Sequence, residues 1–269
     1  MSTSLPATSL PDRRTLRDAC TTLAREAARE IMRIYAGDLG ERMKADQSPV
    51  TDADHAAEAV IVAGLRKLTP GLVVVAEEEM AAGHVPTLDG NPFWLVDPLD
   101  GTKEFIKRNG EFTVNIALIE AGRPTLGIVL APVPETLWRG DAELGADKSD
   151  KGGAFTAIST RRAPANGLVA CASRSHAIYS DLDIWFRSND LTVAERIQAG
   201  SSLKFCLIAE GKADIYPRFG PTNEWDTAAG QGVLEAAGGE VVTTDGRPLT
   251  YGKPRFSNPH FIARSKDAR

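Results

Sequence analysis

Two aspartates three positions apart, Asp97 and Asp100, close an apolar run in the string Trp94-Leu95-Val96-Asp97-Pro98-Leu99-Asp100-Gly101-Thr102. Carboxylates at the end of a buried strand lose water and repel one another, so they need a compensating cation. Hard divalent ions such as Mg2+ take oxygen ligands of this kind. The Pro98-Leu99 turn would point both carboxylates the same way and leave the Leu99 carbonyl as a further ligand. Gly101 and Thr102 would offer backbone N–H groups and a hydroxyl to a phosphate. The same string also reads as a capped turn in which Asp97 and Asp100 serve local N–H groups.

Two further acidic positions share this ambiguity. Glu77 ends the β-branched run Leu72-Val73-Val74-Val75-Ala76, which places another carboxylate at a strand end, while Glu78 and Glu79 read as a solvated acidic loop. Asp226, after Trp225, opens an apolar helical segment and reads as an N-cap, a role compatible with metal ligation if its second oxygen faces the cluster. Near the N-terminus, Val50-Thr51-Asp52-Ala53-Asp54 also precedes a helix, with Thr51 and Asp52 as capping candidates.

The elements that must position these groups follow from periodicity. Leu16, Ala19, Leu23, Ala27, Ile31 and Ile34 recur at helical spacing over residues 12–35, with Gly37 as a stop. A second helix is expected from about Asp52 to Pro70. Residues 72–76 and 93–96 read as buried strands, and 112–120 and 126–131 as a hairpin pair that 136–139 continues. The polar, Gly-rich stretch 147–153 is the best boundary candidate, dividing the chain into an N-terminal α+β subdomain (1–152) with most candidate ligands and a C-terminal α/β subdomain (153–269) with Asp226. In the second part, 167–172 and 215–216 read as strands and 201–210 and 226–237 as helices. Residues 240–244 and 249–251 are expected to finish the sheet.

With 42% hydrophobic and 25% charged residues, the chain of 269 residues has an ordinary globular balance. Its net charge of −5 lacks the basic footprint of a nucleic-acid binder. An anionic substrate would therefore need its positive charge from elsewhere, and cations held by carboxylates supply it. Cys20, Cys171 and Cys206 form no zinc-ligand pattern and read as buried free thiols. No apolar run reaches the ~20 residues of a membrane span, no secretory signal opens the chain, and nothing basic and amphipathic supports peripheral membrane association. A cytoplasmic location is the default expectation, and no segment announces an oligomer interface.

Taken together, Asp97 to Thr102, Trp225-Asp226 with Ala228-Ala229-Gly230, Val50-Thr51 with Asp54, and the acidic pair starting at Glu77 resemble the four signatures of the inositol-monophosphatase superfamily, in order and at the family's spacing. Within it, the chain is most similar to the bacterial 3'(2'),5'-bisphosphate nucleotidases. That likeness lies in Asp97 to Leu118 (with the run Lys103 to Glu111 that inositol phosphatases lack), Ser173-Arg174-Ser175-His176, Gly200-Ser201-Ser202-Leu203-Lys204-Phe205-Cys206, and Tyr216 to Thr222. The resemblance implies a layered α-β-α-β-α sandwich, an α/β (α+β) fold of two packed subdomains with the metal site between them.

It further implies a phosphatase in which Glu77, Asp97, Asp100, Asp226 and the Leu99 carbonyl hold two Mg2+ ions, Asp97 bridging and Glu77 helping a third. Asp54 and Thr102 match the pair that orients and deprotonates the attacking water, in direct in-line attack with lithium as an inhibitor. The substrate would contact Glu77, Leu99, Asp100, Gly101, Thr102, Asp226 and Ser201. Lys103, Arg174 and Arg218 are the candidate cations for a second phosphate, and Tyr216 and Phe219 could stack on a base. Lys204 is expected at an exposed helix position, Lys44 either near the metals or as a flexible surface lysine, and Arg174 and His176 in a loop after a strand. His55, His84 and His260 have no identifiable partner. The competing functions are an inositol or sugar-phosphate phosphatase, and a non-catalytic metal-binding regulator.

Overall fold

A computed structural model describes residues 10–173 and 179–268. The expected 12–35 helix is α1 (Arg13–Tyr35). Asp12 caps it by accepting the Thr15 N–H, and Leu16, Cys20, Ala24, Ala27 and Ile31 line its buried face. A two-strand hairpin, β1 (Arg42–Met43) and β2 (Pro49–Val50), leads into α2 (Asp52–Leu68). A seven-stranded sheet follows: β3 (Val73–Ala76), β4 (Phe93–Asp100), β5 (Thr113–Glu120), β6 (Arg123–Ala131), β7 (Thr136–Asp141), β8 (Gly145–Asp150) and β9 (Thr156–Ala157), paired in that order. Only β3 and β4 run parallel; the other pairs are antiparallel. Two short helices, α3 (Glu77–Ala81) and α4 (Thr102–Ile106), leave the ends of β3 and β4.

The second half holds β10 (Leu168–Ser173), α5 (Tyr179–Ser188), β11 (Val193–Ala199), α6 (Leu203–Ala209), β12 (Ile215–Arg218), α7 (Trp225–Ala236), β13 (Gly239–Thr243) and β14 (Phe261–Ser265). Its five strands pair in the order β11-β10-β12-β14-β13. Helices α1 and α2 cover one face of the seven-stranded sheet, and α6 and α7 fill the space between the two sheets. Helix α5 packs through Leu182 and Phe186 on the outer face of the five-stranded sheet, against Leu168, Ala170 and Ile215. The layers are thus α-β-α-β-α, as the resemblance implied.

Several local expectations change. Residues 147–150 belong to strand β8, whose polar side chains are tolerated because Asp147 pairs with Arg139 at 2.7 Å. The first sheet ends with β9 at Ala157, and the core between the sheets draws residues from both halves, from Val75 to Ala263. Residues 249–251 do not form a strand; Leu249 and Tyr251 are buried from a loop, where the Tyr251 hydroxyl donates to Gln231 at 2.7 Å. The periodicity also passed over α5, β11 and β14. Edge strand β11 carries mostly exposed polar residues. All three cysteines are buried free thiols, as expected.

Strand β4 does not stop at Val96 but continues to Asp100, with a break in register between Asp97 and Asp100 where Pro98 cannot donate to the ladder. Asp97 therefore faces Asn115 and Asp100 faces Thr113 on β5. Helix α7 reaches the same place from the other side by lying directly on the sheet backbone. A Cβ at Gly127 would come within 2.3 Å of the Ala229 carbonyl, and one at Gly140 within 2.4 Å of the Gly232 carbonyl. Only glycine permits that approach, and the depth of α7 sets the depth of Asp226. Gly140→Ala is expected to cost about 2–3 kcal/mol, a Tm drop of roughly 5–10 °C in thermal unfolding. An unchanged Tm would contradict the close contact.

Candidate active site

Five chain turns converge on one open cleft of about 290 Å3, whose lining includes Glu77, Asp100, Gly101, Thr102, Lys103, Ser201, Lys204, Arg218 and Asp226. The end of β4 supplies Asp97 and Asp100. Asp97 is 1% exposed, and its Oδ1 accepts the Leu99 N–H at 3.1 Å. Asp100 Oδ2 accepts from Ser201 Oγ at 2.7 Å, Ser202 Oγ at 3.1 Å and Asn115 Nδ2 at 3.4 Å. Ser202 in turn donates to the Asp226 carbonyl at 2.9 Å, tying the α6 entry to α7. After Asp100, Gly101 adopts φ +96°, a conformation that disfavours side chains.

Asp226 sits one residue inside α7 rather than at its cap, and its Oδ2 accepts the Asn223 N–H at 2.8 Å. Burial pushes the Asp97 and Asp226 carboxyls well above the ordinary range; repulsion from Glu77 and Asp100 adds to both, and Asp226 adds to Asp97. Burial raises Asp100 as well, opposed by the Ser201 hydroxyl and by Lys204. These are carboxylates gathered with too little positive charge for their burial.

Asp54 and Thr102 meet as the resemblance required. Thr51 caps α2, and its N–H and hydroxyl donate to Asp54 Oδ2 at 2.8 and 2.6 Å in a reciprocal capping box. The other oxygen, Oδ1, accepts from Thr102 Oγ1 at 3.2 Å, and that hydroxyl lies 3.4 Å from the Leu99 carbonyl. Burial raises the Asp54 carboxyl against the lowering effect of Thr51, which makes it a better proton acceptor than a solvated aspartate. Asp52 stays at the surface, 2.8 Å from Arg42.

Lys44 is no flexible surface lysine. Its Nζ lies 2.6 Å from both Glu77 Oε1 and Glu78 Oε1. Burial pulls its amine down, but the two glutamates more than offset this and hold it above an ordinary lysine. The acidic run is likewise not a solvated loop. Glu78 is 5% exposed, with its carboxyl pushed up to about 7 by burial, and Glu79 pairs with Arg66 at 2.9 Å.

Lys204 also departs from its expected exposed position. It is 4% exposed at the cleft floor, and its Nζ donates to the Ala199 carbonyl at 3.1 Å and to the Ser201 carbonyl. Burial lowers its amine to about 8, although Asp100 favours the charge. Arg218 Nη2 donates to the Pro221 carbonyl at 3.1 Å, while its buried Nε has no hydrogen-bond partner among the described residues. Tyr216 is a core residue packed on Phe205 and Phe261, and Phe219 packs on Trp185 and His260. Neither ring is free as a stacking platform. Lys103 is exposed at the mouth, as are His55, His84 and His260 at the surface. Arg174 and His176 lie outside the described residues.

Asn115 and Glu58 escaped the sequence reading, in which Ser202 stood only within a motif and Lys204 was expected at an exposed helix position. Buried Asn115, in the apolar strand Thr113-Val114-Asn115-Ile116-Ala117, was the one local signal available. Glu58 is taken up below.

The donor set fits a hard divalent cation: carboxylate oxygens and a carbonyl, with no sulfur or imidazole among them. Among the described residues no three ligand side chains form a ready-made ion cage. Glu77 instead rests on Lys44, Asp226 on the Asn223 amide and Asp100 on two serines. This is how like charges settle on the nearest donors.

A model of the inositol monophosphatase family matches residues 12–267. The 3'(2'),5'-bisphosphate nucleotidase CysQ of Escherichia coli (strain K12) is 49% identical over 248 residues, covering 91% of this chain and 97% of that protein. The protein of the same name from Haemophilus influenzae is 30% identical, with 89% of each covered. Among solved structures, CysQ from Bacteroides thetaiotaomicron superposes with a TM-score of 0.79 at 38% identity, covering 94% of this chain and 98% of that one. An inositol monophosphatase from Anabaena gives 0.75 at 26% identity, covering 94% and 92%.

Raised carboxyl pKa values have a definite consequence. With Asp97, Asp100 and Asp226 all raised, the folded state keeps protons that the unfolded chain releases above about pH 4. This cluster therefore costs stability as pH rises from there, and a bound cation must displace those protons. Saturating Mg2+ added to chelator-treated protein is expected to raise Tm by about 5 °C or more at pH 8, and by clearly less at pH 5.5. An equal shift at both pH values in differential scanning fluorimetry would contradict the cluster's role.

Proposed function

The chain belongs to the inositol monophosphatase family, and from that premise we propose that it is a Mg2+-dependent 3'(2'),5'-bisphosphate nucleotidase. It removes the 3'(2')-phosphate of adenosine 3'(2'),5'-bisphosphate by direct attack of water. The observation that carries the reading is a cleft lined by both signs of charge. Glu77, Asp100 and Asp226 are its acids, Lys204 and Arg218 its buried and half-buried bases, and Lys103 is exposed at the mouth. A substrate with one phosphate needs only the acids and the cations they would hold. The near-half identity to nucleotidases over almost the whole chain supports the same choice.

Glu77, Asp97, Asp100, Asp226 and the Leu99 carbonyl are the residues that would hold two or three Mg2+ ions. Bound there, the ions supply an activated water and neutralise charge on the entering and leaving oxygens. The chain's own groups do the rest. Thr51 fixes one oxygen of Asp54 and leaves the other on Thr102 Oγ1. A proton taken from water by the Thr102 oxygen can therefore pass on to Asp54 as Thr102 gives up its own. The Gly101 and Thr102 amides, at the cleft lining, would cradle the phosphate that departs. Water adds to phosphorus and the ester bond to the ribose oxygen breaks. That oxygen takes a proton from solvent water to leave as a hydroxyl of AMP, while Asp54 returns its proton to solvent.

Among the basic groups, Arg218 Nε is a buried donor that a phosphate oxygen would satisfy. Lys204 adds charge below it.

Phosphate release from adenosine 3',5'-bisphosphate and from inositol 1-phosphate, with Mg2+ and with chelator, tests the reading. Fast, Mg2+-dependent release from the nucleotide is expected, with Arg218→Met raising its KM about tenfold or more. Preference for inositol 1-phosphate would overturn the nucleotide assignment and keep the metal site. No release from either would leave a non-catalytic protein.

A further inference from the structure

Glu58 does not reach the cleft, yet it touches the backbone that delivers a proposed metal ligand. It lies one turn after Asp54 on α2 and is 6% exposed. Its Oε2 accepts the Glu78 N–H at 2.7 Å, and its Oε1 the Glu79 N–H at 2.9 Å. These are two of the unpaired amides at the start of α3, where Ala76 stands in the cap position and has no side chain to serve them. The carboxylate of one helix thus caps another from a distance of twenty residues in the chain.

The choice of residue is costly. Three glutamates in a row begin α3, and a fourth is buried against them. Burial and repulsion from Glu78 and Glu79 push the Glu58 carboxyl up to about 7. Serine or threonine at the cap position would serve these amides without added charge. A local cap, however, would fix α3 only to itself. A long side chain rooted in α2 fixes α3 to the helix that carries Asp54.

We propose that Glu58 is a positioning residue for the metal site, holding the Glu78 and Glu79 amides so that Glu77 on α3 stands at a set distance from Asp54 on α2. The inference rests on the metal-site reading given above. Glu77 is the one proposed ligand side chain in neither the main-sheet strand β4 nor helix α7. It projects from a five-residue helix that makes few contacts of its own, so its place depends on what anchors that helix. Lys44 holds the Glu77 carboxylate from the cleft side, and Glu58 holds the backbone from behind.

Glu58→Gln keeps the side chain's shape but leaves one acceptor oxygen and sets an amide N–H against a backbone N–H. Three readouts separate positioning from plain structural support. Calorimetric titration of chelator-treated protein is expected to show Mg2+ affinity weakened about tenfold or more. Hydrogen exchange at the Glu78 and Glu79 amides should speed up in the metal-free variant. At saturating Mg2+, kcat and the nucleotide KM should stay within about twofold of wild type, because the site refills once Mg2+ is supplied. Leu16→Ala, in the α1 core, controls for lost stability and should leave Mg2+ affinity unchanged. If Glu58→Gln fails to fold, Glu58→Asp keeps the charge while reaching only one amide, and the same weakening is expected. Faster exchange with unchanged Mg2+ affinity would reduce Glu58 to a helix cap and overturn the inference alone. Wild-type protein that binds no Mg2+ would overturn the metal site, and this inference with it.

Discussion

Repulsion among Glu77, Asp97, Asp100 and Asp226 is the constraint around which the rest of the molecule is arranged, because these carboxylates come from separate turns of the chain and share one partly desolvated cleft. Bringing like charges together out of water costs several kcal/mol per group unless a counter-charge is present. The protein offsets part of that cost with what lies within reach. Lys44 takes Glu77, the Ser201 and Ser202 hydroxyls take Asp100, and backbone amides take Asp97 and Asp226. The offset is incomplete, and the raised carboxyl pKa values record the remainder. A site of this kind binds divalent cations because cations relieve a strain that the fold itself imposes.

The fold holds that strain by making its supports rigid. The site is built where the C-terminal end of β4 meets the N-terminal end of α7, and both belong to the best-packed part of the molecule. Strand β4 is buried from Phe93 to Leu99, flanked by β3 on one side and β5 on the other. Helix α7 lies on the same sheet at glycine contact distance, so the separation of Asp226 from Asp100 cannot relax by letting the helix drift outward. The register break at Pro98 then aims Asp97 and Asp100 into the same space. The second sheet adds Arg218 on β12, and α6 adds Lys204. The cleft thus gathers acids from β4, α3 and α7 beside bases from α6 and β12.

Much of this was legible in the sequence, for identifiable reasons. Helices α1 and α2 carry strong apolar periodicity and proper caps. The Asp97 to Thr102 string is dense enough in turn formers and acids to mark itself. Thr51 read as a cap, but its capping-box partner is Asp54 rather than Asp52, and the geometry that makes Asp54 that partner also aims its free oxygen at Thr102. What local sequence hid was burial imposed by distant segments. Lys204 looks like any helical lysine until β12 and the Gly200 turn close over it. Glu58 and Glu78 look like solvated acids until α2 and α3 are seen side by side. Tyr216 and Phe219 looked available because the aromatic partners that occupy them, Phe205, Phe261 and Trp185, lie far away in the chain. Strand β11 is an edge strand with mostly exposed polar residues, so its pairing is set by neighbours rather than by propensity.

The central claim is that the buried carboxylates form a metal site. Crystals grown with Mn2+ in place of Mg2+ would test it most directly, through anomalous scattering at the manganese edge. The account predicts at least two strong peaks in the cleft, each about 2.0–2.3 Å from carboxylate oxygens of Asp97, Asp100, Asp226 or Glu77, with the Leu99 carbonyl completing one shell. Peaks confined to surface acids, with Lys44 still on Glu77 and the aspartates still on their serine and amide donors, would contradict it.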